Sequence, residues 1–169
     1  VGGTSGPNPE SAAGLSSGGF SNKWKRPDWQ KDAAAKYLAN ASGNLPSLVH
    51  FNDTGRGFPD IAAQAVDFIV VQFGIPLPGV SGTSCASPTA GGIFGLLNDM
   101  RAQANKSSLG FLNPLLYKNA DALNDVSKGV NNGCGFASSG FPAVAGWDAA
   151  TGLGSPNFPK LAKAISTLQ

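Results

Sequence analysis

The spacing of apolar positions changes along the chain, and each change marks an element. Residues 29–38 have helical composition through Ala33, Ala34, Ala35 and Leu38, and Asn40 and Gly43 supply a stop. Residues 67–73 are β-branched and aromatic, which predicts a strand. Gly74-Ile75-Pro76-Leu77-Pro78-Gly79-Val80 turns and returns as a short extended piece, because two prolines exclude a central ladder position. From Ser84 onward the period lengthens. Ala90, Ile93, Phe94, Leu96, Leu97 and Met100 fall at helical spacing, with Gly91, Gly92 and Gly95 expected on close-packing faces. Pro88 is tolerated only in a first turn, so this helix starts within 84–87.

A shorter helix is predicted at 115–118 after Asn113-Pro114, and an amphipathic one at 157–168. Residues 1–22 read as a strand end followed by loops, 123–155 as loop-dominated, and Gly55-Arg56-Gly57-Phe58-Pro59-Asp60 as a sharp turn. No repeat, low-complexity tract or linker divides the 169 residues, a length suited to one domain with a sizeable core.

Composition narrows the classes. Hydrophobic residues make up 41% and charged residues 13%, which excludes a solvated disordered polymer. The net charge of +2 has no focus beyond Lys23-Trp24-Lys25-Arg26, which reads as a solvated turn and not as a nucleic-acid surface. No apolar run approaches the roughly 20 residues of a membrane helix. The opening Val1-Gly2-Gly3-Thr4 suits a cut inside a longer chain. Three sequons, at Asn40, Asn52 and Asn105, lean towards the secretory route, with residence outside the cell or in a vacuole or lysosome. The two cysteines, Cys85 and Cys134, form either one disulfide there or two buried free thiols.

Ser84 carries the candidate chemistry. It follows a strand and the tight turn at Gly82, and it opens a helix, where unpaired N–H groups and the helix dipole stabilise an oxyanion. The competing reading is that Ser84 only caps that helix. Its surroundings favour the first reading. Ser81-Gly82-Thr83-Ser84-Cys85-Ala86-Ser87-Pro88 is similar to the nucleophile segment shared by subtilisins and the sedolisin family of serine-carboxyl peptidases. A subtilisin-type site needs His, and the single His50 lies in no matching segment, so it reads as structural or superficial. Other stretches resemble sedolisins in order. They are Val1-Gly2-Gly3-Thr4, Ser17-Gly18-Gly19-Phe20-Ser21, Gly55-Arg56-Gly57-Phe58-Pro59-Asp60-Ile61, Gly110-Phe111-Leu112-Asn113-Pro114, Gly146-Trp147-Asp148 and Thr151-Gly152-Leu153-Gly154-Ser155-Pro156. The likeness spans nearly the whole chain and is nearest the fungal and tripeptidyl-peptidase branches.

The resemblance implies an α/β fold. Residues 1–169 are expected to form the C-terminal portion of a subtilisin-like catalytic domain, a mostly parallel sheet with flanking helices and a calcium-binding loop region. It implies peptide or protein substrates and a Ser–Glu–Asp triad, completed by an oxyanion Asp. The family's Glu and Asp sit four apart on one helix face, yet the only Glu here is Glu10, with Gly14 four residues on. The base, its Asp and the oxyanion Asp are therefore expected from an N-terminal part of the same precursor. Without it, loss of the base costs roughly 10⁴-fold in rate. The resemblance also implies one structural Ca²⁺, with carboxylates from Asp125 and Asp148, carbonyls from Val126, Val144 and Gly146, and water; hard oxygen donors of this kind suit that ion. A structural bond between Cys85 and Cys134 is preferred over a redox role, because no CxxC spacing exists. The alternative to a peptidase part is a stable non-catalytic fragment retained for binding or storage.

Overall fold

Gly2, Gly3 and Thr4 carry little side-chain bulk, and they run through the middle of a three-stranded sheet. A computed structural model describes residues 1–132 and 139–168. In it β1 (Gly2–Ser5) pairs antiparallel with β2 (Ser11–Ala12), ahead of β3 (Gly19–Lys25), and parallel with β5 (Ala62–Gln64). The crossover between β1 and β5 contains β3, α1 (Lys31–Asn40) and β4 (Gly55–Phe58), long enough for the return a parallel pair requires. A Cβ on Gly3 would lie 2.6 Å from the Cβ of Ala65, so the bare backbone permits this layer spacing.

After β5 come the hairpin strands β6 (Phe68–Gln72) and β7 (Ile75–Val80), then α2 (Thr83–Gln103), which packs on β1 and β5. Its buried stripe is Ala86, Ala90, Phe94, Leu97 and Arg101. The helix α3 (Asn113–Lys118) follows, with Pro114 in its first turn. Four short strands, β8 (Leu123–Asn124), β9 (Val130–Asn132), β10 (Ser139–Pro142) and β11 (Ser155–Pro156), precede α4 (Phe158–Ser166). The α4 N-terminus is capped by Asn157, whose side chain accepts from the Lys160 amide at 3.2 Å. Leu161 and Ile165 turn the apolar face of α4 inward, as the amphipathic pattern predicts.

Phe20, Tyr37, Phe51, Phe141 and Trp147 form an aromatic nucleus with ring centroids 5.1–6.4 Å apart. Trp147 also donates its indole N–H to the Pro59 carbonyl at 3.0 Å. Gly57 passes beneath that ring: a Cβ there would meet Trp147 at 2.4 Å. The buried Gln30 pairs twice with Gly57 and donates to Tyr117 Oη.

Several expectations are corrected. The sheet is not mostly parallel among the described residues: β1–β5 is the parallel pair, and the other pairs are antiparallel. Residues 55–58 form a strand paired with β3, and the bend comes at Asp60. Lys23 to Lys25 belong to β3, solvated as expected but extended and not turned. Gly91, Gly92 and Gly95 face open space, with nothing within 4 Å of an added Cβ among the described residues. No described helix is long and apolar enough to cross a membrane.

Candidate functional site

Gly82 is the residue before α2, in a wide-open conformation (φ 158°, ψ 157°), and no side chain caps the helix. Its amide donates to the Ala65 carbonyl at 2.7 Å, which ties the helix entrance to the end of β5. Its φ of 158° is one that side chains rarely adopt, whereas a Cβ would lie 3.5 Å from Ser84 Oγ, an ordinary contact. Ser84 is the second residue of α2 and exposed, and its Oγ makes no hydrogen bond among the described residues. The capping reading of Ser84 therefore fails. The Cys85 amide is turned back to the Gly82 carbonyl at 2.9 Å, whereas the Ser84 amide has no backbone acceptor among the described residues. An exposed hydroxyl thus sits beside an unpaired N–H at the positive end of a 21-residue helix.

No base among the described residues hydrogen-bonds that hydroxyl. His50 is exposed in the loop before β4. Glu10 is committed elsewhere: Oε1 accepts from Thr4 Oγ1 at 2.5 Å and Oε2 from Ser155 Oγ at 2.7 Å, clamping β1 to β11. Cys85 is half-buried, with Sγ 4.0 Å from the Val80 carbonyl. Cys134, its expected partner, lies outside the described residues.

The second constellation surrounds the turn at 144–148. Asp148 is fully buried, and its carboxylate is held by local donors. The amides of Ala150 (3.0 Å) and Thr151 (2.7 Å) reach Oδ1, and the Val144 amide reaches Oδ2 at 3.0 Å. Burial pushes its pKa up to about 7, against the pull of those hydrogen bonds. Asp125 approaches the same turn from β8, and its Oδ2 accepts from the Gly146 amide at 3.0 Å. Val126 is buried, and its carbonyl lies 3.2 Å from Thr151 Oγ1. Thr151 was not anticipated, although the Asp-x-x-Thr spacing is the signature of a side chain folding back on the following backbone.

Asp125 and Asp148 thus both bond backbone amides of the turn at 144–148, and the Val126 carbonyl meets Asp148 through Thr151. The donor set is all oxygen, and the buried Asp148 carboxylate has no cationic partner among the described residues. The carbonyls of Val144 and Gly146 accept no hydrogen bond among those residues either. A cleft of about 740 Å³, lined in part by Asp125, Gly146, Trp147 and Asp32, borders the turn on its Asp125 side. These features fit a hard divalent cation, which would supply the positive charge that Asp148 lacks.

Of the sequons, Asn40 is exposed at the end of α1, and Asn105 is exposed beyond α2 with φ 54°. Asn52 is half-buried: Nδ2 donates to the Ser21 carbonyl at 3.3 Å, and Oδ1 accepts from Thr54 Oγ1 at 2.7 Å.

Comparison with known proteins decides the lineage. The chain is 42% identical over 174 aligned positions to tripeptidyl-peptidase 1 of Bos taurus, with 98% of this chain aligned. It is 43% identical over 155 positions to the Homo sapiens protein of that name. The chain is homologous to tripeptidyl-peptidase 1, of the sedolisin family.

Among solved structures, this sedolisin-family chain matches Pseudomonas sedolisin, a serine-carboxyl proteinase complexed with two molecules of pseudo-iodotyrostatin. The TM-score is 0.72 at 26% identity over 99% of this chain, which supports the α/β subtilisin-like class. No family model matches. The chain spans 31% of the bovine tripeptidyl-peptidase and 46% of the Pseudomonas sedolisin chain.

Proposed function

We propose that this chain is the nucleophile-bearing C-terminal part of an acid-acting serine-carboxyl peptidase, releasing tripeptides or cutting internally. The observation that carries the reading is Ser84: exposed at the entrance of α2, free of any capping bond, beside an unpaired amide. A carbonyl carbon attacked by Ser84 Oγ would place its developing oxyanion near that amide and the helix dipole. The Ser84 proton passes to a carboxylate base and then to the departing amine, and water later hydrolyses the acyl-Ser84 ester. Carboxylates acting as bases set the working range at acid pH. The triad Glu and Asp, and the oxyanion Asp, come from an N-terminal part of the same precursor. The partial coverage of both relatives supports this division.

One Ca²⁺ bound by Asp125, Asp148 and the carbonyls of Val126, Val144 and Gly146 would neutralise buried charge and fix the turn at 144–148. The enzyme travels the secretory route to the exterior or to a vacuole or lysosome, with glycan at exposed Asn40 and Asn105.

The test is release of a fluorophore from a tripeptide substrate at acid pH. Material retaining the N-terminal part should turn over, and the chain purified free of it should not. Turnover by the isolated chain refutes the division of catalytic groups. Native material with no second part by intact mass, and no activity, leaves the non-catalytic binding or storage fragment.

A further inference from the structure

Glu10 is the chain's only glutamate, and the chemistry proposed above makes no use of it. Its half-buried carboxyl group is nevertheless fully engaged, with Oε1 accepting from Thr4 Oγ1 and Oε2 from Ser155 Oγ. Thr4 is completely buried and Ser155 is 9% exposed, so both hydroxyls meet it away from water. No cation pairs with it among the described residues. A partly desolvated carboxyl group held by hydroxyls alone adds little stability, because an apolar contact of the same size would avoid the desolvation. What it provides is a fixed span between β1 and β11.

The backbone of Thr4 leads on to the nucleophile. The Thr4 carbonyl accepts from the Ala65 amide at 2.8 Å, and the Ala65 carbonyl accepts from the Gly82 amide at 2.7 Å. The Gly82 carbonyl then takes the Cys85 amide at 2.9 Å, closing the turn that carries Ser84. This path has little slack. A Cβ on Gly3 would stand 2.6 Å from that of Ala65, and the Gly3 amide is itself fixed by Ser16 Oγ at 2.8 Å. In a close-packed layer a shift of β1 is handed on and not absorbed. The other arm is anchored independently. Ser155 lies in β11, which pairs with β8, and the adjoining Gly154 carbonyl accepts from the Ala62 amide of β5 at 3.0 Å. Glu10 thus closes a ring of contacts through β1, β5 and β11, and the entrance to α2 is tied to that ring at Ala65.

We propose that Glu10 is a positioning residue for Ser84. By locking β1 against β11 it fixes Ala65, and through Ala65 the first turn of α2. It touches neither substrate nor the reacting hydroxyl. The inference rests on the proposed function and deepens it, since displacing a reacting group by about 1 Å can cost roughly 100-fold in rate.

The test compares Glu10→Gln, Glu10→Asp and Glu10→Ala in the N-terminally extended enzyme, measuring kcat and KM on a tripeptide substrate. Gln keeps the span, because its carbonyl accepts from Thr4 and its amide donates to Ser155 Oγ; kcat should stay within about 3-fold of the parent. Asp keeps the carboxyl group but is one methylene too short to reach both hydroxyls. Its kcat should fall about 10-fold with KM changed by less than about 2-fold, and Ala should lose at least as much. Gln impaired as much as Asp, or kcat unchanged in all three whatever happens to Tm, would overturn the inference. Hydrogen exchange supplies a reading independent of activity. The Gly82 amide should exchange about 10-fold or more faster in Glu10→Asp than in the parent. Over the same interval the Leu161 amide in α4, bonded to the Asn157 carbonyl at 2.9 Å, should keep its rate. An unchanged Gly82 rate sinks the positioning role. Ser84→Ala in the same material keeps the two readings apart. Activity lost there but intact in Glu10→Asp sinks only the role of Glu10, whereas activity retained in Ser84→Ala sinks the proposed function.

Discussion

The Gly146 amide donates to Asp125 Oδ2 at 3.0 Å, joining residues 21 apart in sequence across the mouth of the turn that buries Asp148. Removing the Asp125 carboxylate should weaken ion binding far more than it weakens the metal-free fold, because Asp125 is itself exposed. Tb³⁺, a Ca²⁺ mimic, should luminesce when Trp147 is excited, because that indole lies between two of the proposed oxygen donors in sequence. Asp125→Asn should abolish the signal at concentrations that saturate the parent. Exhaustive EDTA should lower Tm in the parent and leave Asp125→Asn unmoved. An EDTA-insensitive parent would remove the structural ion from the account.

Ser84→Ala separates the two roles that a serine at a helix entrance can play. A capping serine would cost about 1 kcal/mol on replacement. Here Ser84 is exposed and uncapping, so the stability of the isolated chain in urea should change by less than about 0.5 kcal/mol. In the extended enzyme the same change should lower kcat by roughly 10⁴-fold or more, with little effect on KM.

How far the sequence was legible follows from the range of the interactions. The helices α1, α2 and α4 were readable because their signals, composition and a stop for α1 and the helical period for α2 and α4, lie within a few turns. The strand β4 was read as a turn because its glycines resemble turn residues. The need at Gly57 is the Trp147 ring, 90 residues away and invisible locally. The glycines of α2 were assigned to packing on composition, yet nothing among the described residues lies within 4 Å of a Cβ added to them. Asp125 and Asp148 came from resemblance alone. What the structure adds is Thr151, whose hydroxyl lies within hydrogen-bonding reach of both the Asp148 carboxylate and the Val126 carbonyl.

Tyr37 and Tyr117, the chain's two tyrosines, should ionise only as it unfolds. Burial is the main cause that raises both phenols, with Asp148 acting on Tyr37 and Asp60 on Tyr117. Tyr37 Oη also donates to the Pro142 carbonyl at 3.0 Å. Their folded pKa values exceed the unfolded value of 10.0, so the neutral phenols stabilise the fold fully below pH 10. That contribution is lost as pH rises towards the folded values. Tyrosinate absorbance should therefore appear in one steep step, coincident with loss of near-ultraviolet circular dichroism. A broad titration centred near pH 10 with the fold intact would contradict the packing of both rings.

Arg101 gives the last prediction, on how the nucleophile helix is held at its far end. The residue is 5% exposed near the C-terminus of α2, and its Nε donates to the Ser107 carbonyl at 2.6 Å. Nη1 donates to the carbonyls of Ile165 at 3.3 Å and Leu168 at 3.4 Å at the end of α4, where Ile165 also accepts from the Leu168 amide and Leu168 from Lys106 Nζ. Arg101→Met keeps the aliphatic stem but removes the guanidinium from all three carbonyls, of which Ile165 keeps the Leu168 amide and Leu168 keeps Lys106 Nζ. Unfolding in urea should show a loss of about 2–3 kcal/mol with an unchanged m-value. Arg101→Lys should recover part of it, because one ammonium meets fewer of the acceptors than a planar fork does. If Met and Lys cost the same, the guanidinium geometry is not what joins α2 to α4.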